Sequence, residues 1–165
     1  MSIVVCDASP LIFLAKLDQL DLIPSLLGGR IFVLRCVVKE ILSASATPGE
    51  NSRMNAFLKG SKIVDFEEPT PPAGALSRSD QLTLKWAVRK KADWIVADER
   101  LLRRVAISEG LSVIGFLGLL VEGARRGSLT AVAAKQAINE SVSRHQCRIS
   151  VALYQRVMAE LESLP

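Results

Sequence analysis

The stretch Ile3-Val4-Val5-Cys6-Asp7-Ala8-Ser9-Pro10 decides how the chain reads. Its first half is apolar and β-branched, without the alternation of a half-solvated strand. Such a run predicts a strand buried on both faces, as in a parallel sheet. The run ends abruptly in a carboxylate, and a hydroxyl and a proline follow. Ser9-Pro10 predicts an N-cap and the first residue of a helix, where proline's missing N–H costs nothing. Asp7 then stands at the carboxyl end of a strand, where open α/β sheets hold their ligands.

Outward from that stretch the same pattern repeats. Residues 11–14 and 20–27 predict helix, interrupted near Leu17-Asp18 and ended by Gly28-Gly29. A second buried strand follows at 31–34, then a helix at 36–42. A polar loop is expected over 43–52 around Pro48-Gly49, a short helix over 53–59 and a strand over 62–66. Residues 67–78 carry Pro69, Pro71, Pro72 and Gly74, a long breaker-rich connection of the kind that is often functional or mobile. A helix over 80–91 leads to the strand Trp94-Ile95-Val96-Ala97, which ends in Asp98-Glu99. Helix 100–109, strand 111–114 and helix 116–126 follow, with Gly110 and Gly127 as stops. Helices at 131–142 and 151–161 close the chain. Short apolar strands alternating with helices predict an α/β fold with a central, mostly parallel sheet and helices on both faces. The expected organisation is one domain over 1–165, with about 128–165 as a helical extension packed on it.

Hydrophobic residues make up 49% of the chain, enough for a sizeable core, and aromatics only 5%, so that core is aliphatic. Three widely spaced cysteines and one histidine, His145, argue against finger or ribbon zinc sites. The odd cysteine count suits a reducing compartment, and no signal peptide or membrane-length apolar run is seen, so a cytoplasmic location is expected. A formal net charge of +4 is compatible with a polyanionic partner without specifying one. His145, in a polar connection, is expected to be exposed and not a general base. Trp86 and Trp94 read as core rather than as base-stacking platforms.

Two strands end in acids in the same way, at Asp7 and at Asp98-Glu99. In a parallel sheet both ends lie on one edge, and neighbouring strands are about 4.8 Å apart. Asp80, at a helix start, and Glu40, on the helix after the second strand, are placed to join them. On a helical wheel Glu40 borders the apolar arc of Val37, Val38, Ile41 and Leu42, whereas Lys39 faces out. Crowded carboxylates repel one another, and burial increases the cost. A hard divalent cation resolves it, since Mg²⁺ and Mn²⁺ favour carboxylate oxygens and serve phosphodiester hydrolysis. Each acid also has a local explanation. Ser77-x-x-Asp80 matches a capping box, Asp98 suits an N-cap, Asp7 a side-chain turn and Glu40 a solvated helix face.

With these residues in order, the chain resembles the PIN domain, most of all bacterial and archaeal PIN-like proteins of the VapC toxin type. Val4-Val5-Cys6-Asp7-Ala8-Ser9-Pro10-Leu11-Ile12 is similar to that family's opening strand and first acid. Val37-Val38-Lys39-Glu40-Ile41 resembles its second acidic position, residues 76–87 its third, and Ala97-Asp98-Glu99-Arg100 its fourth. The segments 110–120 and 147–153 resemble the late part of one PIN-like subgroup. The resemblance implies a three-layer α/β/α sandwich and a divalent-metal-dependent ribonuclease, with the toxin role of a toxin–antitoxin pair among its expectations. Asp7, Glu40, Asp80 and Asp98 are its implied catalytic acids and ligands of Mg²⁺ or Mn²⁺. Glu99 is an outer ligand, Ser9 a supporting hydroxyl, and Arg100, Arg103 and Arg104 are phosphate contacts. RNA is the implied substrate, with a homodimer and an antitoxin protein as partners and no membrane.

Two positions depart from the resembling proteins. Ser79-Asp80 stands where a Gly-Glu pair is usual, which shortens the third carboxylate by one methylene. Phe116 stands where a threonine is frequent, which removes a hydroxyl. These departures motivate an alternative, a non-catalytic PIN-like module that binds RNA or protein. Doubly wound phosphotransfer domains fit less well. A haloacid-dehalogenase-like enzyme needs a second aspartate where Ser9 stands, and the acceptor aspartate and late lysine of a receiver domain are not found.

Overall fold

The apolar run at the start forms β1 (Ile3–Cys6), in which Val4, Val5 and Cys6 are fully buried. It pairs in parallel with β2 (Arg30–Leu34) on one side and with β4 (Trp94–Val96) on the other. β3 (Lys62–Val64) extends the sheet beyond β2, and β5 (Ser112–Ile114) extends it beyond β4. The strand order is β3-β2-β1-β4-β5, all five parallel. The computed structural model describes residues 1–71 and 74–165, so Pro72 of the breaker-rich connection lies outside the described residues.

Parallel neighbours need crossovers, which are here helical. The described residues contain α1 (Ala8–Lys16), α2 (Leu22–Leu27), α3 (Arg35–Ser43), α4 (Pro48–Lys59), α5 (Arg78–Arg89), α6 (Arg100–Ser108), α7 (Phe116–Arg125), α8 (Ala131–Ser143) and α9 (Val151–Glu162). α1 packs against α3, α4 and α7, whereas α5 packs against α6 and β1. Two helical layers thus enclose the sheet, as the α/β/α expectation requires. The chain winds from β1 outward to β3, then returns across the sheet to β4 and β5. The winding direction therefore reverses between β1 and β4. At such a switch point the carboxyl ends of the strands open a crevice. Cys6 is in register with Val96 across this junction, so Asp7 and Asp98 follow at its rim.

Several boundaries differ from the sequence expectation. α1 begins at Ala8, with Asp7 rather than Ser9 in the N-cap position, and the Asp7 side chain makes no capping bond. The Asp7 N–H donates to the Val96 carbonyl at 2.9 Å, so the ladder runs one residue longer and the helix starts without a connecting loop. Pro10 falls within the first turn, where its N–H would have had no intrahelical partner. α4 begins at Pro48, inside the expected loop. The Thr47 hydroxyl accepts from the Glu50 N–H, and the Glu50 carboxylate accepts from the Thr47 N–H, a capping box that starts the helix five residues early. His145, expected to be exposed, is half-buried with Nε2 3.4 Å from Glu140 Oε1. Its connection is drawn inward because Cys147 is buried and donates its N–H to the Ser141 carbonyl.

The core is contiguous from the sheet into the last helices, where Ala134, Ile138, Val157 and Leu161 join it. Trp86 is buried with its ring centroid 5.0 Å from that of Phe32, and Phe13 stacks on Phe116 at 5.0 Å. Among the described residues, no helix is long and apolar enough to cross a membrane.

Candidate active site

Asp7 is only 4% exposed, at the floor of the crevice where β1 passes into α1. Its carboxyl lies within reach of the Asp80 charge, and Oδ1 has no partner. Burial pushes the Asp7 pKa up, and the charges of Asp80 and Glu40 add to the rise. The Ala8 N–H opposes it, and the net value is about 8. Asp7 is thus raised by burial and by like charge, the behaviour of a crowded carboxylate.

Asp80 owes its place to the start of α5. The Ser77 hydroxyl accepts from the Asp80 N–H at 3.1 Å. Unlike Glu50 in α4, the Asp80 carboxylate does not complete a capping box, and it turns to Asp7 instead. The preceding connection is tied to the same helix. Arg78 bonds Glu67 and Thr70, and Arg89 pairs with Glu68. Glu40 is exposed on α3 and acts on Asp7 through its charge.

Asp98 occupies a separate cradle across the β1–β4 junction. Its Oδ1 accepts from the Phe116 N–H at 2.9 Å, and Oδ2 from the Ser9 hydroxyl at 3.5 Å. The first of these satisfies an unpaired N–H at the start of α7, so Asp98 caps that helix rather than α6. Arg103 donates to the Ala97 carbonyl at 3.0 Å, which holds its guanidinium beside Asp98. Burial raises the Asp98 pKa, against the opposing pull of the Phe116 N–H, Arg103 and Ser9. The cradle exists because residue 115 is glycine. A Cβ there would lie 2.4 Å from Asp98 Oδ1 and 2.6 Å from Arg103 Nη1.

The structure therefore brings Asp7, Asp80 and Glu40 into electrostatic contact and sets Asp98 with Ser9 nearby. Glu99 is the N-cap of α6, its carboxylate accepting from the Leu102 N–H at 2.6 Å. Arg100 and Arg104 are exposed on α6, and Arg103 is half-buried in the cradle. Among the described residues, no three His, Cys, Asp or Glu side chains form a ready-made metal cluster. The donors nevertheless suit a hard divalent ion: they are carboxylates, and Asp7 presents a buried oxygen without a partner. A cation bound there would relieve the repulsion that raises Asp7.

A protein-family model, DUF3368, described as a PIN domain, matches residues 3–163. The chain belongs to the PIN-domain family. PIN domains are generally nucleases and generally use divalent metals. The fold is also similar to the solved structure of a PilT N-terminus domain protein, SSO1118, from the hyperthermophilic archaeon Sulfolobus solfataricus P2. The TM-score is 0.53 at 17% identity, over 73% of this chain and 92% of that one. No curated protein matches significantly.

In this PIN domain some contributors to the site were not anticipated from sequence. The Phe116 N–H and Gly115 act through the backbone, so side-chain chemistry did not reveal them. The signal available was a glycine between a strand and a helix on the same sheet edge as Asp7 and Asp98. Arg148 and Arg156 line a cleft that reaches Asp98, and Trp94, expected in the core, is half-buried in its wall.

Proposed function

We propose that this PIN domain is a divalent-metal-dependent ribonuclease that hydrolyses RNA phosphodiesters. The observation that carries the reading is Asp7, buried at the switch-point crevice with an unpartnered oxygen and within reach of the Asp80 and Glu40 charges. Asp7, Asp80, Glu40 and Asp98 would hold Mg²⁺ or Mn²⁺. Bound there, such an ion would activate water and stabilise charge on the phosphate. The chain's own groups supply orientation. The Ser9 hydroxyl and the Phe116 N–H fix the Asp98 carboxylate, and the buried Asp7 carboxyl holds or releases a proton at the crevice floor. Arg103 supplies a positive charge beside Asp98. A role as the toxin of a toxin–antitoxin pair, with a homodimer and a small restraining protein as partners, belongs to the same reading. Equilibrium sedimentation and a search for a co-purifying small protein test it.

The test of the reaction is cleavage of pooled cellular RNAs with Mg²⁺ or Mn²⁺, with and without chelator. Cleavage is expected with metal only. Asp7→Asn should reduce it by more than the roughly 10–100-fold lost with a mere supporting group. Undiminished cleavage by Asp7→Asn would overturn the assignment.

A second reading is a non-catalytic RNA-binding or protein-interaction module. It is favoured by the commitment of Asp98 Oδ1 and of Glu99 to helix caps. RNA binding indifferent to chelation, with no cleavage under any divalent ion, would establish that reading instead.

A further inference from the structure

A cleft of about 990 Å³ opens between α9, the 144–150 connection and the β5 edge, and one end of it is the Asp98 cradle. Arg100, Arg103, Arg125, Arg126, Arg148 and Arg156 line it. Three of these are already engaged. Arg125 pairs with Glu122 and Glu160, Arg126 with Glu122, and Arg103 bonds the Ala97 carbonyl. Arg100, Arg148 and Arg156 are exposed and make no ion pair among the described residues. They come from three separate segments, α6, the 144–150 connection and α9, so three walls of the cleft each contribute an uncompensated charge.

The lining also includes apolar side chains, Trp94, Ile114 and Leu153 among them. Trp94 lies four residues before Asp98, a span of roughly 13 Å in extended chain. A groove lined by guanidiniums from three segments together with apolar and aromatic side chains suits an unpaired nucleic-acid strand. Its phosphates fit the planar forks, and its exposed base faces lie on apolar surface. A duplex seals its bases away and gains nothing from such a lining. An acidic peptide would meet the forks but would lack flat groups for the apolar side chains.

We propose that this cleft seats the single-stranded RNA leading to the scissile phosphate, with Arg100, Arg148 and Arg156 holding its phosphates. The C-terminal helical segment is then one wall of the substrate site and not only a buttress for α7. The proposal rests on the ribonuclease reading, and its test separates the two.

The probe is a fluorescein-labelled oligouridylate, followed by anisotropy on the full chain in chelator, where chemistry is off. The double variant Arg148→Gln/Arg156→Gln should bind roughly tenfold or more weakly. Its salt slope should be shallower by about 1.4, the share of two phosphate contacts on a single strand. Lys90→Gln/Lys91→Gln removes the same charge from an exposed turn outside the cleft and should bind as the parent does. If the parent cleaves RNA but the arginine double variant binds and cleaves with unchanged Kd and KM, the cleft proposal falls and the nuclease reading stands. If no cleavage occurs but binding depends on the two arginines, the nuclease reading falls and the cleft stands only as a single-stranded-RNA-binding surface. Absence of RNA binding by the parent, equal losses in the lysine variant, or preferential capture of polyglutamate would each overturn the cleft proposal.

Discussion

Asp7 shows how one buried carboxyl couples stability to pH. An aspartate in the unfolded chain titrates near 3.9, whereas here burial, Asp80 and Glu40 raise the pKa to about 8. The folded state therefore holds a proton that the unfolded state releases. This contribution is complete below about pH 4 and is lost progressively as pH rises toward 8. Urea unfolding of the metal-free protein should show stability falling from pH 5 to pH 8, by the order of a few kcal/mol. Asp7→Asn should flatten most of that slope and be the more stable protein at pH 8. Mn²⁺ added at pH 8 should raise the Tm of the parent and leave that of Asp7→Asn nearly unchanged. Gly115 is the second residue with an outsized role, because an added Cβ would collide with Asp98 and Arg103. Gly115→Ala should cost about 1–3 kcal/mol by overpacking and reduce cleavage further than its stability loss explains, which urea midpoints and initial rates measured together would show.

Among the described residues four helices start with hydroxyl caps, at Thr47, Ser77, Thr130 and Ser150, and the first two have different consequences. Thr47 caps α4, which carries none of the crevice acids, and Ser77 caps α5, whose first turn carries Asp80. Loss of either cap should cost about 1 kcal/mol. Thr47→Ala is expected to lower the urea midpoint and leave cleavage unchanged. Ser77→Ala should lower it similarly and also weaken divalent-ion dependence of the rate, since the turn that presents Asp80 to Asp7 is loosened. Equal activity of the two variants would show that Asp80 is held by its contact with Asp7 and not by the cap. The capping box at Thr47 also explains the early start of α4. Thr47-x-x-Glu50 was present in the sequence, but Pro48-Gly49 within it argued for a turn. Proline at the first helical position is compatible with both, and only the reciprocal hydrogen bonds decide.

At the scale of the molecule, the last two helices belong to the same core as the sheet. Ile138 and Leu161 are almost fully buried within it. Ile138→Ala should therefore lower the stability of one cooperative transition by about 2–5 kcal/mol. A separate early transition confined to residues 128–165 would instead mark an independent unit. The strand order has the larger functional effect. Reversal of winding between β1 and β4 puts two acid-ended strands side by side, 91 positions apart in the chain at Asp7 and Asp98.

The sequence alone determined the parallel α/β architecture, because unbroken β-branched runs and glycine stops are local and each element carries its own pattern. It also singled out Asp7, Glu40, Asp80 and Asp98, because an acid at the end of an apolar strand or the start of a helix is visible without neighbours. The tertiary structure alone decided how those acids divide: Asp7 buried under the charges of Asp80 and Glu40, Asp98 bound to the Phe116 N–H, and Glu99 spent on a helix cap. It alone also brought Arg148 and Arg156 into one cleft with Asp98. Backbone donors carry no side-chain signature, and distances across a crossover depend on how layers pack. Neither is written in the order of residues along one element.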